Sequence, residues 1–179
     1  MPVAPSSRRI AIAAGSNLGN AAASVRRAFD ALSKSPLIHA PRLSPLYQTE
    51  PVRVSPDGPD PGGAYVNAAI VATSFATPQQ LLELLQQIER QGGRDRAVGA
   101  SPHGAPRPID LDLLLVGDLT LDTPELTLPH PRMHRRAFVL VPLADIAPDL
   151  QVPGQSATVA QLLARLGPLD ARAVRKITP

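Results

Sequence analysis

The spacing of apolar residues changes repeatedly along this chain, and the order of those changes narrows the fold more than any other feature. Residues 9–14 alternate as a strand does. "GSNLGN" then turns the chain into a helical repeat over 21–33, with Val25, Ala28, Phe29 and Leu32 on one face. Residues 43–49 read as a second strand and 65–74 as a third. For the next helix, Thr77 can cap the start, Pro78 suits the first turn and Gln80 completes a capping box. Leu81, Leu82, Leu85 and Ile88 give it an apolar stripe, and Gly92-Gly93 ends it. The run "RPIDLDLLLVG", 107–117, is a further strand, after which the chain turns back through 119–121. Helices are expected near 135–143 and over 159–166. Strand, helix, two strands, helix, strand is the order of an α+β fold: a ferredoxin-like sandwich, an antiparallel sheet with helices packed on its faces.

The acidic opening of the 107–117 run sets it apart. Side chains alternate along a strand, so Asp110 and Asp112 share a face with Leu114 and Val116, while Ile109, Leu111, Leu113 and Leu115 take the other. Like charges on one face repel, and burial raises that cost, so something cationic should sit over them. Two solvated carboxylates at a strand end would leave the same tripeptide. The functional alternative is a pair of hard oxygen ligands for magnesium, which keeps most of its waters and shares one or two carboxylates with substrate phosphates.

Composition limits the partners. A chain of 179 residues can bury a sizeable core, and 10–179 read as one domain behind a disordered tail, 1–9, "MPVAPSSRR". That tail lacks the apolar centre of a secretory signal, and no apolar run approaches the roughly 18 residues of a membrane span. The absence of cysteine removes disulfides and thiolate metal sites and fits a cytoplasmic protein. The sequence pI of about 9.9 raises nucleic acid as a partner. Yet the net charge is only +3, and aromatics at 3% leave little for base stacking. Many arginines gather at 90–107 and 132–136, beside or just after the acidic strand, which favours a small polyanionic substrate.

Gln86 and Glu89 stand at helical spacing near the end of the second helix, and Arg94 and Arg96 leave it on a loop, 94–106. Arg107 adds a guanidinium just before the acid pair. A solvated helix end would carry such residues too, but guanidinium forks bind phosphate oxygens bidentately. There is no Gly-rich lysine loop, and Lys34 and Lys176 lie outside these clusters, which argues against a P-loop enzyme. A Pro-, Gly- and Asp-rich loop covers 52–63; it and the 94–106 loop are expected to be mobile when free and to close over substrates. In "LTLPHPRMHRRAF", His130 lies between prolines that hold its loop stiffly, so its ring could donate to a phosphate oxygen. A lone histidine is more often structural, and His134 reads as surface. No paired-histidine spacing supports a zinc site.

Five motifs, "GSNLG", "YVNAA", "IERQGGRDR", "APRPIDLDLLLVG" and "LPHPRMHRRAFVLVPLADIAPDL", occur in an order that resembles the 6-hydroxymethyl-7,8-dihydropterin pyrophosphokinases of folate biosynthesis, over about residues 10–150. The resemblance implies transfer of the pyrophosphoryl group of ATP to the pterin hydroxymethyl oxygen, with release of AMP. It implies two magnesium ions on Asp110 and Asp112, with ATP as co-substrate. Gln86, Glu89, Arg96, Arg107, Thr127, His130 and Arg136 would then meet ATP, and Arg94 and Arg96 would serve catalysis. Thr49, Glu50, Val52, Tyr65, Asn67 and Phe138 would meet the pterin, with Tyr65 and Phe138 sandwiching the ring and Asn67 reading its edge. Each of these aromatics would otherwise pass as core. The expected partners are these small molecules alone, with no nucleic acid or membrane, and the expected state is a monomer.

The sequence also departs from the family pattern. Many members carry Trp-Gly-Pro-Arg before the acid pair, with a tryptophan that closes over the substrates; here the run is "HGAPR", with His103 the candidate replacement. Residues 96–107 form a longer loop than in some members, and Pro131 stands where some have tyrosine. The competing readings are another magnesium-dependent nucleotidyl or phosphoryl transferase on a similar sandwich, and a ferredoxin-like regulatory or RNA-binding module. The second would need aromatic pairs on exposed central strands with basic residues around them; this chain offers instead an acidic pair next to arginines, which would repel a nucleic acid backbone unless metals intervened.

Overall fold

The structure, a computed structural model, describes residues 6–51, 62–94, 106–167 and 173–178. Val52, Arg96, His103 and most of the two expected loops lie outside the described residues.

The chain opens with β1 (Arg8–Ser16), so Arg8 and Arg9 belong to the sheet, opposite Ser74 and Thr73, and not to a tail. Asn20 caps α1 (Ala21–Ser33) by accepting the Ala23 amide at 3.0 Å. Of its expected apolar face, Val25, Ala28 and Leu32 are buried, while Phe29 is partly buried against them. The second expected strand is two: β2 (His39–Leu43) and β3 (Tyr47–Thr49), both paired with β4 (Tyr65–Ser74). Pro45 has no N–H with which to continue a ladder. Beside it, the Ser44 hydroxyl accepts the Ala69 amide at 2.9 Å, and the Ser44 amide donates to the Ala69 carbonyl at 2.9 Å.

In α2 (Pro78–Gln91), the Thr77 and Gln80 side chains form the reciprocal capping box, and Gly92 caps the C-terminus. Its buried side chains are Leu81, Leu85, Ile88 and Glu89, so a carboxylate stands in the apolar stripe where Leu82 was expected. The acidic strand is β5 (Asp110–Val116). After it come a hairpin of β6 (Leu121–Asp122) and β7 (Thr127–Leu128), a 3₁₀ turn (Met133–Arg135), and α3 (Ala137–Ile146), which runs beyond the expected 135–143 at its C-terminal end. β8 (Gln151–Val152) and β9 (Ala157–Thr158) lead to α4 (Val159–Leu166), as read from sequence, and β10 (Arg175–Lys176) pairs with β3.

The main sheet runs β10-β3-β4-β1-β5 with every pair antiparallel and β2 also on β4. Taking β2 and β3 together as the second strand, this is the strand order of the ferredoxin-like sandwich. Side-chain alternation divides the interior in two. Ile10, Ile12, Ile70 and Leu113 pack with α1 and α2; Ala11, Ala69, Val71 and Leu115 pack with α3 and α4.

β5 does not alternate throughout. Ile12 lies opposite Leu113 and Ala11 opposite Leu115, so Leu114 is one residue more than β1 can match. This is a β-bulge. It leaves Leu114 and Leu115 together on the α3 side and sends Val116 to the α1 side, reversing the faces expected for Leu115 and Val116. The Leu114 carbonyl accepts the His130 amide at 2.7 Å.

Candidate active site

At one end of the sheet, on the α3 side, lies a cleft of about 980 Å³. Strand register builds its floor: Gly15 pairs with Asn67 on one side and Asp110 on the other, and Ala13 pairs with Ala69 and Asp112. Small residues on the central strand thus separate an amide from two carboxylates, with about 4.8 Å per strand between them.

The carboxylates meet the cations that their repulsion called for. The Arg94 guanidinium bonds both Glu89 and Asp110, and Arg107 reaches Asp110 at 3.0 Å. Arg136 lies 3.8 Å from Asp112. Glu89 is only 1% exposed, and its Oε1 also accepts the Leu111 amide at 2.8 Å. A solvated helix end is therefore not its setting: it ties α2 to the strand between the acids. Arg94 lies on Asp110 because its amide donates to the Glu89 carbonyl at 3.0 Å directly beyond α2.

These contacts divide the acid pair. Burial pushes the Asp110 carboxyl up, but Arg94 and Arg107 outweigh it by charge and hydrogen bonding and hold it below the usual range. Burial and then the Asp110 charge lift Asp112, and His130, Arg136 and Arg94 oppose this incompletely. His130 is lowered, chiefly by burial and further by Arg136 and Arg132, against the pull of Asp112. Its Nδ1 accepts the Arg132 amide at 3.2 Å, which leaves the neutral ring's proton on Nε2.

The donor set fits magnesium. Asp110 and Asp112 offer hard oxygens from one face, and the Asp112 side chain is 40% exposed. Among the described residues no group of three or more His, Cys, Asp or Glu could hold an ion. Water and substrate oxygens would have to complete the shell, as magnesium ordinarily requires.

On β4, two strands from the acids, the Asn67 amide donates to Thr49 Oγ1 at 2.9 Å, and Glu50, Tyr65 and Phe138 also line the cleft. Burial raises the Tyr65 hydroxyl, with Arg107 opposing and Asp110 adding, so it stays protonated. The Arg136 guanidinium lies 5.5 Å from the Phe138 ring centroid. The cleft thus brings together Thr49, Glu50, Tyr65, Asn67, Arg107, Asp110, Asp112, Arg136 and Phe138 from the expected set. Gln86, Glu89, Arg94, Thr127 and His130 do not line it; Thr127 donates to Asp122 in the β6–β7 hairpin at 3.2 Å. Sequence reasoning missed Arg135 and the wall formed by Ala173, Val174 and Arg175. Arg135 sat inside a quoted motif, but the two-residue strand at 175 carries no periodic signal.

A cleft that sets guanidiniums and paired carboxylates beside an amide and two aromatic rings has the parts that an enzyme joining a polyphosphate to a planar acceptor would need. The chain belongs to the 7,8-dihydro-6-hydroxymethylpterin-pyrophosphokinase (HPPK) family, whose model matches residues 11–148. It is similar to the 2-amino-4-hydroxy-6-hydroxymethyldihydropteridine pyrophosphokinase of Pseudomonas aeruginosa, 40% identical over 146 residues, 82% of this chain and 85% of that one. The protein of the same name from Bacillus subtilis is 37% identical over 150 residues, 84% of each chain. Among solved structures, wild-type Plasmodium falciparum HPPK-DHPS shares the fold with a TM-score of 0.66 at 14% identity. That match covers 89% of this chain, which spans 45% of the Plasmodium chain.

Proposed function

We propose that this protein transfers the pyrophosphoryl group of ATP to the hydroxymethyl oxygen of 6-hydroxymethyl-7,8-dihydropterin, releasing AMP, as a step of folate biosynthesis. The observation that carries this reading is the composition of one cleft: Asp110 and Asp112 among arginines, two strands away from Asn67 and Tyr65, with Phe138 of α3 lining the same space. Arg107 and Arg136 would hold the triphosphate by paired N–H donors, with Arg94 next to them on Asp110. His130, neutral with its proton on Nε2, is suited to donate to a phosphate oxygen. Magnesium held by Asp110 and Asp112 would neutralise phosphate charge and lower the pKa of the attacking hydroxyl. Tyr65 and Phe138 would stack on the pterin, and Asn67, anchored by Thr49, would pair with its edge. Pyrophosphoryl transfer asks mainly for such positioning and charge neutralisation, and a metal-activated hydroxyl does not need a strong base.

Purified protein incubated with ATP, magnesium and the hydroxymethyl pterin should accumulate AMP. ADP as the sole nucleotide product would overturn the reading in favour of an ordinary kinase on the same sandwich.

A further inference from the structure

The "GSNLG" turn, which leads from β1 into α1, also holds the segment that enters β5 and the segment that enters β4. Asn17 is 6% exposed. Its Oδ1 accepts the Arg107 amide at 2.8 Å, and its own amide donates to the Arg107 carbonyl at 3.2 Å. Its Nδ2 donates to the Gly63 carbonyl at 3.5 Å. Ser16, fully buried, donates its hydroxyl to the Pro108 carbonyl at 2.7 Å. Arg107 lies between Pro106 and Pro108, neither of which has an N–H, and it belongs to no strand. Both hydrogen-bonding groups of its backbone go to one asparagine. Gly62, at φ +80°, fits against the same point: a Cβ there would fall 2.9 Å from Pro106 Cγ and 3.0 Å from Asn17 Nδ2.

We infer that Asn17 is a positioning residue for Arg107: by fixing the Arg107 backbone against the end of β1 it sets where the guanidinium stands over Asp110 and the cleft. The inference rests on the reading of Arg107 as a phosphate ligand. Asn17 itself does not line the cleft, so it acts through the arginine. Its other bond, to Gly63, ties the same turn to the segment that enters β4 just before Tyr65.

A double-mutant cycle tests this, with the KM for ATP as readout in Asn17→Ala, Arg107→Ala and the double variant. Arg107→Ala should raise that KM at least tenfold, as loss of a charged hydrogen-bonding partner does, and Asn17→Ala should raise it by roughly fivefold. The double variant should be no worse than Arg107→Ala alone. Multiplying effects would mean that Asn17 works independently of Arg107 and would overturn the inference while leaving the phosphate role intact. An unchanged KM in Arg107→Ala would overturn both. Should Asn17→Ala fail to fold, Asn17→Asp keeps the acceptor for the Arg107 amide and loses the donor to Gly63. Its KM for ATP should then stay within about twofold of the wild type, and a rise as large as that of Arg107→Ala would overturn the inference.

Discussion

Asp110 and Asp112 are the same residue type on the same face of one strand, yet their surroundings give them opposite signs in stability. Asp110 has a lowered pKa, so its ion pairs contribute fully above the ordinary carboxylate value of about 3.9 and are lost as pH falls through its own value. Asp112 has a raised pKa, so its charge opposes folding at neutral pH, and that cost is relieved as pH falls through the raised value. Thermal unfolding of the metal-free protein should therefore show Asp110→Asn melting below wild type at neutral pH, with the deficit shrinking as pH falls below the ordinary carboxylate value. Asp112→Asn should melt at or above wild type. Repulsion alone would stabilise both variants, and that outcome would mean the guanidiniums contribute nothing. Arg94 gives a second test, because its guanidinium occupies the Asp110 oxygen a divalent cation would need. Arg94→Ala should bind Mn²⁺ in the absence of nucleotide about tenfold more tightly than wild type, the scale of one charge-assisted hydrogen bond. Titration followed by electron paramagnetic resonance would measure it, and unchanged affinity would place the cation elsewhere.

At the scale of elements, the end of α2 is held within contact distance of the start of β5. A Cβ on Gly92 would lie 2.6 Å from Ile109 Cγ2, and Ile109 directly precedes Asp110. Gly92→Ala should cost about 1–3 kcal/mol as an overpacked site and also disturb ATP turnover. Thr77→Ala, at the far end of the same helix, should cost about 1 kcal/mol through its lost cap and leave turnover per folded molecule unchanged. Urea unfolding with steady-state kinetics separates the two effects. The cap, the stripe and the terminal glycines of α2 were legible because each is a local signal acting within a few residues. The division of β2 from β3 was not, since it depends on Ser44 meeting Ala69 across the sheet. Glu89 stood out by its spacing beside the arginines, but a solvated helix end would carry it too; what buries it is the Leu111 amide, 22 positions away.

At the scale of the molecule, the sheet separates two apolar layers and carries the cleft on the α3 side, where Gly15 and Ala13 leave room. The strand order was legible from periodicity and connection rules, and the acidic end of the cleft from charge placement. The C-terminal wall was not, because nothing local marks a two-residue strand that returns to β3. There Ile177 donates its amide to the Leu46 carbonyl at 2.8 Å, Arg175 lies 3.2 Å from Glu50 and Lys176 lies 3.1 Å from Asp145. Deleting residues 173–179 should weaken binding of the planar substrate more than binding of the nucleotide, measured by calorimetry with each alone. Equal losses would mean that the segment supports the fold generally and not that end of the cleft.

The bulge at Leu114 gives β5 two reading frames, one for the acidic half and one for the half beyond it. Removing a residue from a strand with a buried face ordinarily flips everything after it to the wrong face. Here, removing Leu114 would bring the halves into a single parity, with Leu113 still toward α1 and Leu115 still toward α3, opposite Ile12 and Ala11 as they are now. The deletion would forfeit a side chain only 1% exposed, at roughly 2–5 kcal/mol, without inverting the strand. It would also remove the carbonyl that holds the His130 amide, detaching the histidine's loop from the strand that bears the acids. A shortened protein that folds, keeps its affinity for the planar substrate and loses affinity for ATP would show that the supernumerary leucine is kept in this strand as a bracket for His130.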